Sequence, residues 1–445
     1  MEAVTIVGAG LAGCEAAWQL LRRGVPVRLC EMRPGKTTPA HRTGHWAELV
    51  CSNSLRAAAP ENAVGLLKAE MRLLDSLVLQ AADATAIPAG GALAVDRTRF
   101  SAYIEEKLRA LPGLTVIEEE VTDIQAGLTI LAAGPLASDG LTQAILALTG
   151  QDQLYFHDAI APIVDGASVD MEKAFFASRY GKGDGTDYLN CPMNREEYLA
   201  FYHALVTAEV FPLRDFEKEK HFSGCMPLES MARYGEDAIR FGPLKPVGLE
   251  LPGGGEAYAV LQLRKENAEG SMFNLVGCQT RLLQKEQRRV FGLIPGLEQA
   301  EFLRYGSMHR NTFLHAPLLL DPWQRLRTRP DLYFAGQITG VEGYVESAAS
   351  GLMAGRCAAA QALGEPLPEF PAATAHGSLL RFLQSGGPGG FQPMNVNFGL
   401  FPPLKQRVRG KKEKAAALAQ RALEDMQAFC HRNADAACGG EEDEG

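Results

Sequence analysis

Within its first thirty-one residues the chain lays out a strand, a glycine-rich turn, a helix and a second strand that ends in an acid. Ala3-Val4-Thr5-Ile6-Val7 is a short β-rich apolar run, and Gly8-Ala9-Gly10-Leu11-Ala12-Gly13 follows at once. A helical stretch continues to Arg23, and Val25-Pro26-Val27-Arg28-Leu29-Cys30-Glu31 closes the unit. Each glycine has a physical duty. Gly8 makes the tight turn, Gly10 lets the backbone approach a pyrophosphate, and Gly13 lets the helix pack close on the strand. The helix N-terminus adds unpaired N–H groups and a partial positive charge. Glu31 is placed to accept hydrogen bonds from an adenosine ribose. A glycine turn alone could merely pack a helix on a strand. Strand, turn, helix and acid in register point to a dinucleotide site formed by Gly8, Ala9, Gly10, Leu11, Ala12, Gly13 and Glu31.

Bulk properties narrow the class. At 445 residues there is length for one large domain or two moderate ones. A net charge of -9 offers no global attraction to nucleic acid, so any RNA contact needs a local basic surface. No apolar run approaches the roughly 18 residues of a membrane span. The N-terminus enters a strand immediately, leaving no basic leader or cleavable apolar segment, so a cytoplasmic protein is expected. The nine cysteines are odd in number, irregular in spacing and without a CxxC pair, which indicates neither a disulfide framework nor a metal site. Most are expected as small buried hydrophobes, Cys14 among them.

Two later stretches extend the opening unit. Leu128-Thr129-Ile130-Leu131-Ala132-Ala133-Gly134-Pro135 reads as a buried strand running into a tight turn at Gly134. Leu332-Tyr333-Phe334-Ala335-Gly336-Gln337 repeats that signal, followed by a Gly340-Val341-Glu342-Gly343-Tyr344 loop and a small-residue helix predicted over 347–362. The N-terminus of that helix could face a flavin, where its dipole would favour negative charge on the reduced ring. Both strands resemble the Ala-Gly-ended strands that pass the cofactor in FAD-dependent oxidoreductases, so FAD is favoured over NAD. The expected fold class is α/β, with a discontinuous, Rossmann-like FAD-binding domain at 1–154 and 326–438. An inserted α+β domain at 155–325 is richer in Phe, Tyr, Pro, Asn and charge. Residues 439–445 are too acidic and polar to pack and are expected as a disordered tail.

Chemistry-bearing residues stand out in both parts. Cys225 lies in Phe222-Ser223-Gly224-Cys225-Met226-Pro227-Leu228-Glu229, where Pro227 suits the first turn of a helix through Met231. A thiol at such a junction feels unpaired N–H groups, which favour the thiolate; a buried structural cysteine in a turn is the equal alternative. Cys51 lies in Glu48-Leu49-Val50-Cys51-Ser52-Asn53-Ser54-Leu55-Arg56, a strand end turning into a polar loop of the kind that overlies a cofactor. Ser52 or Asn53 could equally be a helix cap. Gln284–Val290 reads as one basic helix face, and Lys405, Arg407, Arg409, Lys411, Lys412 and Lys414 form a dense basic run before a helix from about 413 to 430. Either is a solvated surface or a track for a phosphate backbone.

Five runs carry a family resemblance: Val50–Arg56, Gly224–Glu229, Phe241–Leu249, Arg304–Phe313 and Phe391–Leu400. On these the chain resembles the TrmFO family of folate- and FAD-dependent tRNA uracil-5-methyltransferases, from residue 1 to about 430. The resemblance implies methylation of the T-loop uridine of tRNA to ribothymidine. Methylenetetrahydrofolate would be the carbon donor, and NADH or NADPH would reduce the protein through FAD. It implies that Cys225 is the nucleophile toward uracil carbon 6 and Cys51 a second active-site cysteine. Tyr344 and Glu342, on the loop after the Ala-Gly-Gln turn, would be near-flavin groups beside Gly134, Gly336 and Gln337. Cys278 and Arg281 depart from the family pattern, which usually has Phe and a His or Asn there. The expectation attached to that departure pairs Arg281 with the glutamate tail of folate. The partners implied are tRNA, the folate and the nicotinamide, with no membrane and no obligate protein partner. The related MnmG-type wobble-modifying flavoproteins, with a longer C-terminal helical region, and an RNA-binding flavoprotein without methyltransferase activity are the alternatives.

Overall fold

The computed structural model describes the chain except residues 39, 151–153, 182–184, 212–225, 268, 386–390, 407 and 435–445; for 154–159, 308–312 and 434 it describes the backbone alone. Cys225 and the acidic tail at 439–445 therefore lie outside the described residues.

The opening run forms the strand Val4–Val7 at the middle of a six-stranded sheet. Val27–Cys30 and Leu114–Ile117 lie in parallel on one side. On the other side lie Thr129–Leu131 and Arg329–Phe334, also parallel, and then the antiparallel edge Arg325–Leu326. The two Ala-Gly-ended strands are direct neighbours, with Leu332 opposite Thr129 and Phe334 opposite Leu131. The helices Leu11–Leu21 and Tyr344–Leu363 pack on this sheet, and its strands read as continuous apolar runs because they are buried: Ile6, Ile130, Leu332, Tyr333 and Phe334 are all fully buried.

The fingerprint helix Leu11–Leu21 is buried on every side and packs along the helix Tyr344–Leu363. Small residues permit that approach. A Cβ placed on Gly351 would stand 2.2 Å from the Ala12 carbonyl oxygen, a distance no side chain tolerates. The helix starts at Tyr344 rather than at the Ser347 expected from sequence. Gly343, with φ of 108°, turns the chain sharply and serves as its N-cap, so Tyr344 is the first helical residue and not part of a loop.

A second core gathers around a sheet in the order Phe175–Phe176, Tyr188–Met193, Ala259–Lys265, Met272–Leu275, Ile163–Asp165, Phe302–Arg304. Its pairings are antiparallel. A ribbon of Leu154–Ile160 with Ser307–Phe313 joins it to the first sheet's chain segments. The strand Ala259–Lys265 is buried on both faces but differs between them. Ala259, Leu261 and Leu263 enter the second core, while Gln262, Arg264 and, just past the strand, Glu266 share the alternate face. That polar face looks toward the first unit. No helix among the described residues is long and apolar enough to cross a membrane.

Candidate functional site

The glycine turn builds an anion cradle. Gly8 sits at φ of 101°, beyond the reach of a side-chain-bearing residue, and its N–H donates to the Cys30 carbonyl at 2.8 Å. A Cβ on Gly13 would fall 1.8 Å from the Gly8 carbonyl oxygen, so this glycine is fixed by packing. Gly10, the N-cap, faces open space: nothing stands within 4 Å of a Cβ added there. It leads into a cleft lined among others by Gly8, Gly10, Glu31, Arg33, Ala133 and Ser138.

Glu31 is 5 % exposed at the floor of that cleft and organises it. Its carboxylate accepts the Ala9 N–H at 2.8 Å and the Arg33 N–H and Nε at 3.0 Å each. Burial works to raise its pKa, but the Arg33 guanidinium and the converging N–H groups outweigh it and hold the carboxyl below its ordinary value. With Arg33 Nη2 also donating at 3.2 Å, the ionised acid has its acceptor sites met by Ala9 and Arg33, and it fixes the turn beside an open helix N-terminus that fits the pyrophosphate of a dinucleotide. Of the other residues predicted for the cofactor, Leu11 and Ala12 are buried in the fingerprint helix. Gly134 and Gly336 occupy positive-φ turns after the two Ala-Gly strands. Gln337 donates its Nε2 to Glu342 Oε2 at 2.7 Å, locking the turn to the loop that precedes Tyr344.

Cys51 and Tyr344 come together from opposite ends of the unit. The Tyr344 Oη accepts the Cys51 N–H at 2.7 Å and the Ser52 N–H at 3.3 Å, and lies 2.9 Å from the Cys51 Sγ. With two N–H groups already directed at it, the phenol oxygen uses its single proton toward the sulfur. Burial pushes the phenol well above its ordinary pKa, and the adjacent Cys51 adds to the shift, so this oxygen keeps its proton. Neither Ser52 nor Asn53 caps a helix; both bond to the second unit instead.

Three arginines surround this pair that sequence reasoning did not single out. Arg97 donates to the Leu49 carbonyl and forms a buried ion pair with Glu266, its Nη2 donating to Oε1 at 3.2 Å. Burial opposes the Arg97 charge, but Glu266 overcomes it and leaves the guanidinium more firmly protonated than usual. Arg264 donates its Nε to Asn53 Oδ1 at 2.9 Å and its Nη2 to Ser52 Oγ at 2.7 Å. Arg304 donates to the Ala40 carbonyl at 3.4 Å and keeps a buried Nε without a hydrogen-bond partner among the described residues. Charges on Arg97 and Arg304 both bear on Cys51 and Tyr344. The one available signal was the alternation Gln262, Arg264, Glu266 in an otherwise apolar strand.

Behind the pair, Glu346 is fully buried, pairs with Arg56 and accepts the Val396 N–H at 2.9 Å, while Asn395 Nδ2 donates to the Glu342 carbonyl at 2.6 Å. The described part of the Cys225 motif begins at Met226. Pro227 is the N-cap of a short helix Leu228–Ala232, anchored by Leu228 N–H donating to the Gln279 carbonyl and by Thr280 Oγ1 donating to Glu229. Cys278 is buried in the second core. Arg281 is also buried, with its N–H donating to Glu229 at 2.9 Å and its Nε 3.9 Å from the same carboxylate.

A parallel sheet closed by a glycine cradle, an inserted antiparallel sheet and a cysteine–tyrosine pair between them define a dinucleotide-binding flavoprotein of the two-unit kind. Residues 3–366 match the family "Glucose inhibited division protein A". The fold is similar to that of Aquifex aeolicus GidA, with a TM-score of 0.69 and 17% identity, covering 96% of this chain and 76% of that one. The chain belongs to the TrmFO family. It is 60% identical over 432 residues to the methylenetetrahydrofolate--tRNA-(uracil-5-)-methyltransferase TrmFO of Heliobacterium modesticaldum, covering 97% of this chain and 98% of that protein. The protein of the same name from Pelotomaculum thermopropionicum is 58% identical over 428 residues, covering 96% of this chain and 98% of that protein.

Proposed function

We propose that this chain methylates carbon 5 of the T-loop uridine of tRNA, with methylenetetrahydrofolate as carbon donor, FAD as cofactor and NADH or NADPH as reductant. The observation that carries the reading is the 60% identity over 97% of the chain. The match along nearly the whole of these relatives separates this reading from the wobble-modifying alternative.

Gly8, Ala9, Gly10, Gly13 and Glu31 would hold the adenosine and pyrophosphate portion of FAD, with Leu11 and Ala12 setting the helix that presents the turn. Gly134, Gly336, Gln337 and Glu342 would border the flavin. When bound and reduced, FAD supplies the electrons that convert a transferred methylene carbon into a methyl group. Cys225 is the proposed nucleophile. Its thiolate adds to uracil carbon 6, so that carbon 5 can take up the one-carbon unit; loss of the carbon 5 proton then lets the thiolate leave. Tyr344 holds a proton at Oη against the Cys51 sulfur, and the Arg97 and Arg304 charges favour an anionic group there. Two separate hydrophobic cores support a division into an FAD-binding unit and an inserted substrate unit beginning near 155, with the return to the first unit nearer 313 than 325, because Phe313, Leu314, Ala316, Leu319 and Leu320 pack in the first core. A tRNA substrate supports a cytoplasmic location.

Purified protein given FAD, NAD(P)H, methylenetetrahydrofolate and unmodified tRNA is expected to yield ribothymidine by nucleoside mass spectrometry. Absence of product with NADH and with NADPH alike would defeat the reading. Cys225→Ala is expected to keep its flavin and lose turnover. Retained tRNA affinity with no activity in the unaltered protein would favour an RNA-binding flavoprotein instead.

A further inference from the structure

The loop that carries Cys51 is held on both sides by one strand of the inserted unit. Upstream, the Leu49 carbonyl accepts from Arg97, and Arg97 is itself held by Glu266. Downstream, Ser52 Oγ and Asn53 Oδ1 accept from Arg264, and Asn53 Nδ2 donates to the Lys265 carbonyl at 2.8 Å. Arg264, Lys265 and Glu266 are consecutive, and Arg264 and Glu266 lie two apart, on one face of the strand line. The centre of this arrangement is shielded: Asn53 is 0 %, Glu266 2 % and Arg264 7 % exposed, while Ser52 and Arg97 are half-buried. Arg264 is the unusual member. Its side-chain bonds to the loop go to a neutral hydroxyl and a neutral amide; burial lowers its pKa from the ordinary arginine value, and the Glu266 charge opposes that in part. Burying a guanidinium is costly unless it is paired and hydrogen-bonded, and here Glu266 supplies the opposing charge while the Cys51 loop supplies the acceptors.

We propose that Arg264 is a positioning residue for Cys51, and that Arg264 and Glu266 together clamp the Cys51 loop so that the inserted unit sets where the thiol stands against Tyr344. A displacement of about 1 Å at such a centre is enough to slow a reaction by about a hundredfold without altering substrate binding.

The inference rests on the methyltransferase reading and is tested on full-length, FAD-bound protein with Arg264→Met, Arg264→Lys, Ser52→Ala and the Arg264→Met/Ser52→Ala double variant. Arg264→Met is expected to lower kcat by about ten- to a hundredfold, with KM for tRNA and folate and the flavin content unchanged. Arg264→Lys recovers part of the loss. The double variant is no slower than Arg264→Met, because the Ser52 hydroxyl acts through a hydrogen bond that Arg264→Met has already removed. Unchanged kcat, strictly additive losses, or a loss accounted for by missing flavin would overturn the assignment. If Arg264→Met does not fold, the cycle is run with Arg264→Lys in its place. A second readout needs no turnover: the rate at which iodoacetamide modifies Cys51, followed by peptide mass spectrometry. Release of the loop should speed it in Arg264→Met and in Ser52→Ala, and an unchanged rate in both would reject the clamp. Should the unaltered protein make no ribothymidine, the methyltransferase reading falls while this measurement still decides the clamp.

Discussion

The phenol oxygen of Tyr344 accepts the backbone N–H of Cys51 at 2.7 Å and sits 2.9 Å from the sulfur of the same residue, across 293 positions of sequence. One side chain therefore fixes both the backbone and the thiol of Cys51. It can do so because Gly343 starts the helix at Tyr344, placing that ring at the rigid first turn of a 20-residue helix.

Tyr344→Phe keeps the ring and removes the oxygen. The Cys51 and Ser52 N–H groups then have no common acceptor, at a cost of about 1–3 kcal/mol for a buried donor left unmade. The variant is expected to bind FAD, unfold at lower temperature and lose most of its kcat. Thermal unfolding of the flavin-loaded protein and the methylation assay check this. Wild-type values in both would mean the oxygen is not used.

Two glycines of the cradle separate folding from cofactor binding. Gly13→Ala places a methyl 1.8 Å from the Gly8 carbonyl oxygen, so the turn itself must shift and apoprotein stability should fall. Gly10→Ala meets no protein atom within 4 Å, so the apoprotein should be as stable as the parent. Its methyl instead enters the space a pyrophosphate needs, and FAD affinity should drop by about an order of magnitude or more. Apoprotein unfolding and flavin titration, run in parallel, distinguish the two.

Much of the frame was legible because it is local. The fingerprint requires neighbouring residues only, and its strand, turn, helix and acid all occur at the positions read from sequence. The two Ala-Gly strands were recognisable one by one, and their pairing at Leu332 and Thr129 follows from both being apolar on two faces. The start of the Tyr344 helix was misplaced because small residues mark its interior, whereas Gly343 sets its beginning. The clamp was not legible. Arg97, Arg264 and Glu266 belong to no motif, and only the tertiary approach of a polar strand face to the Cys51 loop gives them a purpose. The helix Gln284–Phe291 shows the converse. Its basic face looked open in sequence, yet Lys285 pairs with Glu209, Arg289 with Glu286, and Arg288 donates to the Tyr305 hydroxyl.

Lys68 gives the protein a pH signature near the site. Its ammonium is fully buried and donates to the Leu55 carbonyl at 2.8 Å. Burial, then the Arg56 charge, lowers its pKa from the ordinary 10.5 to about 7. Below about 7 both folded and unfolded chains carry the proton, and the cost of the buried charge is fully present. Between about 7 and 10.5 the folded chain releases the proton while the unfolded chain keeps it, so the unfolded state binds more protons and stability rises with pH. Lys68→Met removes this titration. The variant's melting temperature should rise less than the parent's across that interval, and parallel curves would show that Lys68 does not titrate there.

The remaining basic surface is the beginning of the helix Lys411–Ala434. That helix turns Leu418, Ala422, Met426 and Phe429 into the core. Lys405, Arg409, Lys411, Lys412 and Lys414 are exposed, and none forms an ion pair among the described residues. Lysines in a first helical turn sit at the positive end of the helix dipole, where cations are disfavoured, so folding alone does not explain their placement. The same chain segment reaches back to the site, since Asn395 and Val396 bond to Glu342 and Glu346 about ten residues earlier in sequence than Lys405. Substituting Lys411, Lys412 and Lys414 together by alanine should weaken tRNA binding. It should also make the dependence of log affinity on log salt shallower by about 0.7–0.9 for each phosphate that a lysine no longer neutralises. Substituting Lys285 and Arg289, whose charges are already neutralised by Glu209 and Glu286, should leave that slope unchanged. Binding titrations across a salt series read both variants directly, and an unaltered slope in the triple variant would move the RNA surface away from this helix.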